Sequence, residues 1–436
     1  VFMLVGRNRE YTYFNGYMEQ NGSQMLVFYG QKFIGKTSFL LDFCKDIPHS
    51  YFLSKPIVKE WMLDSLEQEI RKLQQLDTDQ KKILIIDEFQ EFSKNEDFMP
   101  VLINLMQSGN FLIILVSSEV NWVETAMVRV FGRTVASISG FYKVKPLSFQ
   151  NICQIYPQYS RADLFIMYSI YGGIPGLWNY FDVELSVEDN IITYILSQRS
   201  FLRQAGYSYS MSGLRESSVY DTILLSMANG NTKLNDLYRI TGFSRAKISV
   251  YLRTLMEQEQ INKIYSIDCA GHDNSQKGIY DISNHFTAFW FKFVYIHEDE
   301  LLQMDEKAFY DKYIRDELLK YCSKYLKEIL KEYFCIQGIL DPADASASDC
   351  FLGKQNQIPF VWKSHSVYHV VSCDRIKTRM TYDDYERLVQ AAAEARMREK
   401  EYYIVSFRDF DEKLSLESRM KKNIHLLSFA DILEHF

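Results

Sequence analysis

Two glycines, a lysine and a threonine stand at a fixed spacing in Gly30-Gln31-Lys32-Phe33-Ile34-Gly35-Lys36-Thr37, with Ser38 next. The stretch fits G-x-x-x-x-G-K-[ST] without a mismatch, a pattern whose backbone cradles phosphates. Gly30 and Gly35 permit the dihedrals that turn N–H groups inward. A helix starting near Lys36 adds the positive end of its dipole. Lys36 is placed to reach outer phosphates, and Thr37 to set its hydroxyl on Mg²⁺. A second group closes ILIIDE, Ile83 to Glu88. Four apolar residues followed by two acids is an odd end for a buried strand unless the acids face a cation. Asp87 reads as the residue holding Mg²⁺ through water. Glu88 reads as the base that orients and deprotonates a water for attack on a γ-phosphate. Ser117 or Ser118 ends a further apolar run, where a hydroxyl could sense that phosphate or simply bond local backbone. The expected ligands are ATP or ADP with Mg²⁺.

These residues need a scaffold, and the flanking pattern supplies one. QMLVFYG (24–30) reads as a buried strand ended by glycine. Thr37 to Asp46 reads as a helix and His49 to Ser54 as a second strand. Ile57 to Leu76 has helical periodicity, with Met62, Leu66, Ile70 and Leu73 on one side. KKILIIDE is a strand, NEDFMPVLINLMQSG a helix, and NFLIILVSS another strand. Alternation of this kind predicts a parallel sheet covered by helices on both faces. Ligands of such sheets sit beyond the carboxyl ends of the strands, which is where Gly30, Asp87-Glu88 and Ser117-Ser118 fall.

The bulk properties fit a globular protein of two to three domains: 436 residues, 47% hydrophobic and 24% charged. The net charge of −7 removes a whole-chain field that would gather nucleic acid. Seven scattered cysteines with no Cys-x-x-Cys pair argue against a disulfide framework or zinc site and fit a reducing cytosol. No apolar run is long enough for a membrane span. VFMLVGRNRE is too short and too quickly charged for a signal peptide. The expected location is cytoplasmic.

VGRNRE (5–10), GQKFIGKT, ILIIDEFQEF, FGR (131–133), KPLSF (145–149) and YGGIP (171–175) occur in the order seen in the archaeal-type ATPase family. The chain resembles that family, part of the STAND group of signalling P-loop ATPases related to AAA+ proteins, over roughly its first 190 residues and into the next block. The resemblance implies Arg7 or Arg9 near the nucleotide and Pro175 of a lid motif near the base. It implies that Arg133 contacts a γ-phosphate in cis or from a neighbour. By residue type alone, Arg133 is a surface arginine.

Residues 219–264 read as helix, helix, Gly242-containing turn, helix, with Ser244 as an N-cap and Ile248, Leu252 and Leu255 on one face. INKIYSID and KGIYDIS would form a wing, giving helix-turn-helix geometry that also resembles the family's winged helix. Arg245, Lys247 and Arg253 would face outward. Arg215 to Lys263 holds seven basic and five acidic residues, a thin excess for DNA. An arm relaying nucleotide state is the favoured role, with DNA the alternative partner.

In the last block TAFWFKFVYIHEDE is expected to pack between domains. A long helix is expected at 310–334, strands at 333–339, 358–362 and 366–373, a helix at 381–398, and strands at 401–407 and 424–428. That order is similar to restriction-endonuclease-like folds, a common C-terminal domain in the resembling family. Their chemistry needs an acid on the second strand and Glu-x-Lys on the third. IPFVW has no acid, and VYHVVSCDRIK offers Ser372 and Asp374 in those places. Asp374, Lys377 and Glu328 are the nearest substitutes, at the wrong spacing, so this block reads as a non-catalytic interaction module. The expected fold is α/β: a P-loop NTPase parallel sheet (1–150), a helical lid (151–212), a winged helix (213–286) and a C-terminal α/β restriction-endonuclease-like domain (287–436). The expected function is a slow ATPase acting as a nucleotide-dependent switch toward a protein partner or a second copy. The alternatives are an ATP-gated DNA-binding regulator or nuclease relative, or a nucleotide-bound scaffold without turnover.

Overall fold

The computed structural model describes residues 4–56, 58–78, 80–204, 206, 217–269, 278–345, 349–373 and 379–436. The chain divides into two compact units, Val1–Leu147 with Gly173–Asn179, and Ser148–Gly172 with Tyr180–Phe436. The stretch expected as a lid is thereby shared between them. No helix among the described residues is long and apolar enough to cross a membrane.

The first unit is built on five parallel strands: β1 (Gln24–Tyr29), β2 (His49–Leu53), β3 (Lys82–Asp87), β4 (Phe111–Ser117) and β5 (Gly140–Lys143). Their order is β2-β3-β4-β1-β5. The central position of β4 explains why all seven of its residues are buried, whereas the edge strand β2 leaves Leu53 exposed. Side chains alternate across a sheet. Met25 and Val27 of β1, Leu84 and Ile86 of β3, and Ile113 and Leu115 of β4 therefore share one face. Helices α3 (Lys59–Gln74) and α4 (Phe98–Gln107) cover it, α3 through the predicted Met62, Leu66, Ile70 and Leu73. Phe92 and Phe98 stack there with ring centroids 4.2 Å apart. Helices α1 (Asn8–Met18) and α2 (Lys36–Cys44) contribute to a second aromatic cluster with β1, formed by Phe14, Phe28, Phe39 and Phe43. Each buried phenylalanine contributes about 1.5–3 kcal/mol by removing its ring from water.

In the second unit, helices Ser217–Ala228, Leu234–Thr241 and Arg245–Glu257 precede an antiparallel hairpin of β6 (Ile261–Tyr265) and β7 (Gly278–Ile282). Gly242 ends the second helix at φ 70°, and Ser244 caps the third by accepting the N–H of Lys247. Ile248, Leu252 and Leu255 are fully buried. Arg215 lies outside the described residues. Phe286, Phe289, Trp290, Phe291 and Phe293 form a buried aromatic run within this unit. The C-terminal sheet has strands β8 (Asp349–Leu352), β9 (Gln357–Ser364), β10 (Val367–Cys373), β12 (Glu399–Ser406) and β14 (Ile424–Ser428). Short β11 (Arg379–Met380) and β13 (Asp409–Phe410) pair separately. The sheet order is β14-β12-β10-β9-β8, antiparallel from β8 to β10 and parallel from β10 to β14.

One expected strand is overturned. Residues 333–336 complete the helix Leu326–Ile336, and Gly338 follows at φ 69°. Ile329, Leu330, Tyr333 and Phe334 are buried at helical spacing, so the apolar run belongs to a helix face. The first strand of the sheet is β8 instead. The long helix expected from 310 is broken into Glu306–Tyr313, Arg315–Cys322, a 3₁₀ turn at Ser323–Tyr325 and Leu326–Ile336.

Two glycines test this packing. A Cβ on Gly173 would fall 1.8 Å from the Leu147 carbonyl oxygen, whereas Gly16 in α1 has open space. Gly173→Ala should destabilise the first unit by about 1–3 kcal/mol. Gly16→Ala should stabilise it by about 0.5–1 kcal/mol. Denaturant unfolding of the full chain checks both.

Candidate functional site at the carboxyl edge of the first sheet

The phosphate-loop pattern folds between β1 and α2. Gly30 donates its N–H to the Ser117 carbonyl at 3.2 Å, which fixes the loop's start to the end of β4. Gly35 adopts φ 92° and ψ 19° as the N-cap of α2, a left-handed conformation that favours glycine. Phe33, also at positive φ (63°), is exposed. Ser38 is exposed on the first turn of α2, while Ile34 is buried. Gln31 and Lys32 complete the turn.

Lys36 is buried and donates Nζ to the carbonyls of Gly30 (2.8 Å) and Gln31 (3.0 Å). Burial lowers its pKa to about 8, with Glu88 and Asp87 pulling in the opposite direction. The ammonium is thus folded onto its own loop, where a bound anion would offer it a charged acceptor.

Asp87 ends β3 and is buried. Its Oδ2 accepts from Thr37 Oγ1 at 3.3 Å and from the Tyr51 phenol, and its Oδ1 accepts the Glu88 N–H at 2.9 Å. Burial pushes the Tyr51 phenol well above its ordinary pKa, and the bond to Asp87 adds to that shift. Glu88 stands in the left-handed region, at φ 53° and ψ 46°, a conformation that costs a non-glycine residue about 1–2 kcal/mol. Three donors hold its Oε2: Gln90 Nε2 (2.6 Å), the Ser118 N–H (3.1 Å) and the Ser118 hydroxyl (2.9 Å). Ser117 Oγ in turn donates to Gln90 Oε1 at 2.8 Å. The order β3-β4-β1 makes this possible, because the end of β4 falls between the acids and the loop.

Arg7 caps α1 and is buried against the back of the loop. It donates to the carbonyls of Ile34 (2.6 Å) and Lys145 (2.8 Å) and pairs with Glu10 (3.2 Å). Arg9 is exposed. The Pro175 ring comes within 3.6 Å of the position a Gly35 Cβ would take, and Gly176 donates to the Phe33 carbonyl at 2.9 Å. Arg133 is exposed on the 3₁₀ turn Gly132–Ser137 and joins none of these contacts. Asp374 and Lys377 lie outside the described residues. Glu328 pairs with His285 Nε2 at 3.3 Å on the helix Leu326–Ile336. Tyr51 and Gln90 escaped the sequence reading. The signals were a hydroxylated aromatic on the strand beside the acid strand and a glutamine two residues past the acids.

A hydroxyl and a buried carboxylate at 3.3 Å are hard oxygen donors of the kind Mg²⁺ takes. The loop's left-handed glycine and helix start suit a polyphosphate. The donor set therefore fits a magnesium nucleotide, with Gly30 to Ser38 available to the phosphates and Thr37 and Asp87 to the metal.

Residues 22–153 match a family model described as an AAA domain. With the parallel sheet and phosphate loop, this stretch is similar to AAA domains and has a P-loop architecture. An uncharacterized protein of Methanocaldococcus jannaschii is 25% identical over 363 residues, covering 76% of this chain and 78% of that protein. Similar solved structures include a Walker-type ATPase of Pyrococcus abyssi (TM-score 0.44, 16% identity, 66% of this chain and 96% of that one). Another is the ORC2 protein of Aeropyrum pernix (TM-score 0.42, 13% identity, 69% and 95%).

The buried lysine sets a pH dependence. Between about 8 and the ordinary lysine value of 10.5, the unfolded chain holds a proton that folded Lys36 has released. Stability of the nucleotide-free protein should rise with pH through that window, because the cost of burying the charge is present in full below it. Lys36→Met should lose this rise. Denaturant unfolding of both proteins at stepped pH isolates the difference, since the tyrosines are common to both.

Proposed function

We propose that this protein binds Mg-ATP, hydrolyses it slowly to ADP and phosphate, and uses the nucleotide state as a conformational switch. One observation carries the reading: the lysine loop, the Thr37–Asp87 pair and the Glu88 carboxylate converge on one sheet edge. Loop N–H groups and Lys36 bind the phosphates. Thr37 and Asp87 would hold Mg²⁺, which supplies charge neutralisation on the phosphate oxygens when bound. Glu88 orients the attacking water and takes its proton. Ser118 and Gln90 fix where that carboxylate stands. Arg7 sets the loop's shape through the Ile34 carbonyl and acts as a positioning residue. Pro175 and Gly176 lie against the loop, so its rearrangement would be passed into the segment around them. Arg133 is assigned to γ-phosphate contact, in cis or from a second copy.

The three helices and hairpin over 217–282 are read as a winged helix relaying that state. The C-terminal sheet is read as an endonuclease-like shell serving a protein partner. The absence of an acid from β9 and β10 supports the non-catalytic reading. A second reading, DNA contact by the middle block, is favoured by exposed cations seated on rings: Arg245 over Tyr238 and Lys247 over Phe243. Salt-dependent DNA affinity weakened in Arg245→Ala and Lys247→Ala would support it.

The principal test is nucleotide binding and turnover by the full chain. Lys36→Ala should abolish binding. Glu88→Gln should keep binding and lose about 100-fold or more in hydrolysis rate. Failure of the wild type to bind ATP would sink the proposal.

A further inference from the structure

Two hydroxyls meet on one oxygen of Asp87. Oδ2 accepts from Thr37 and from the phenol of Tyr51, while Oδ1 takes the N–H of Glu88. An ionised carboxylate oxygen offers about two acceptor positions, so Oδ2 is filled. Thr37 can keep its proton on Oδ2 while its own lone pairs turn to a cation. Oδ1 keeps a position beyond the Glu88 N–H, while the second position on Oδ2, one that a metal-bound water could use, is held by Tyr51. The phenol is delivered there by β2, whose register sets Tyr51 opposite Ile85 and Leu53 opposite Asp87. Tyr51 is half-buried and lies within β2, so the phenol is carried by the sheet rather than by a loop.

We propose that Tyr51 is a positioning residue of the cation corner: its hydroxyl stands in for a metal-bound water on Asp87 and must give way when the metal nucleotide enters. This rests on the Mg-ATP reading above. The phenol answers the buried carboxylate before a metal nucleotide enters, which avoids the cost of an unanswered charge. The same bond opposes the metal. Tyr51 therefore lowers the benefit that Mg²⁺ brings to nucleotide binding without touching the nucleotide itself.

The test is ATP affinity of the full chain by calorimetry, once with excess chelator and once with saturating Mg²⁺. The ratio of the two affinities is the metal-dependent gain. In Tyr51→Phe the chelator affinity should match wild type, and the gain should rise on the order of ten-fold, the worth of one hydrogen bond. Thr37→Ala, run alongside, should lose the gain. A gain in Tyr51→Phe that is unchanged or smaller than wild type would overturn the proposal, because the phenol would then be neutral or supporting toward the metal. Absence of ATP binding by wild type under both conditions would overturn the Mg-ATP reading itself, and this inference with it.

Discussion

A carboxylate buried at the end of a strand must be answered by donors, and in this protein the answer to Asp87 organises the surrounding elements. Thr37 reaches it from α2, Tyr51 from β2, and the Glu88 N–H from the turn that follows β3. Two segments distant from Asp87 in sequence are brought to it, and its own next residue supplies the third donor, because an unsatisfied buried charge would cost several kcal/mol. The turn that supplies the third donor holds Glu88 in a left-handed conformation and aims its side chain at Ser118. The position of the proposed base thus follows from how the neighbouring acid is satisfied.

The same logic runs through the phosphate loop. Lys36 is a buried cation whose nearest partners are carbonyls of its own loop. Arg7 adds a second cation behind it, spent on the Ile34 and Lys145 carbonyls. Arg7 is also paired with Glu10, so Lys36 is the cation that an anion in the loop would meet. An anion of several oxygens relieves that arrangement, and a neutral ligand does not.

Much of this was legible from residue types. The strands β1, β3 and β4 are continuous apolar runs ended by glycine, acid or serine, and each is central in the sheet. The helix α3 showed its face through Met62, Leu66, Ile70 and Leu73. Legibility failed where burial is partial or the partner is remote. The helix α1, NREYTYFNGYM, mixes polar residues, aromatics and an interior glycine, so its period is weak. β5 has four residues at a sheet edge and no apolar run. Residues 333–336 are apolar enough for a strand, and only the helical burial of Tyr333 with Ile329 and Leu330 decides the matter. Residue type alone could not place Arg7, because its two carbonyl partners lie 27 and 138 residues away, and only the family resemblance set Arg7 or Arg9 near the nucleotide.

The first unit is not contiguous in sequence. Its last piece, Gly173–Asn179, returns after a stretch that belongs to the other unit. That piece supplies the Gly173 carbonyl to the Leu147 N–H and the Gly176 N–H to the Phe33 carbonyl. A truncation after residue 147 or 153 would leave the Phe33 carbonyl without the Gly176 N–H and the Leu147 N–H without the Gly173 carbonyl. The candidate site is therefore a property of the longer chain, and cutting the protein after its first parallel sheet would remove part of what holds the loop.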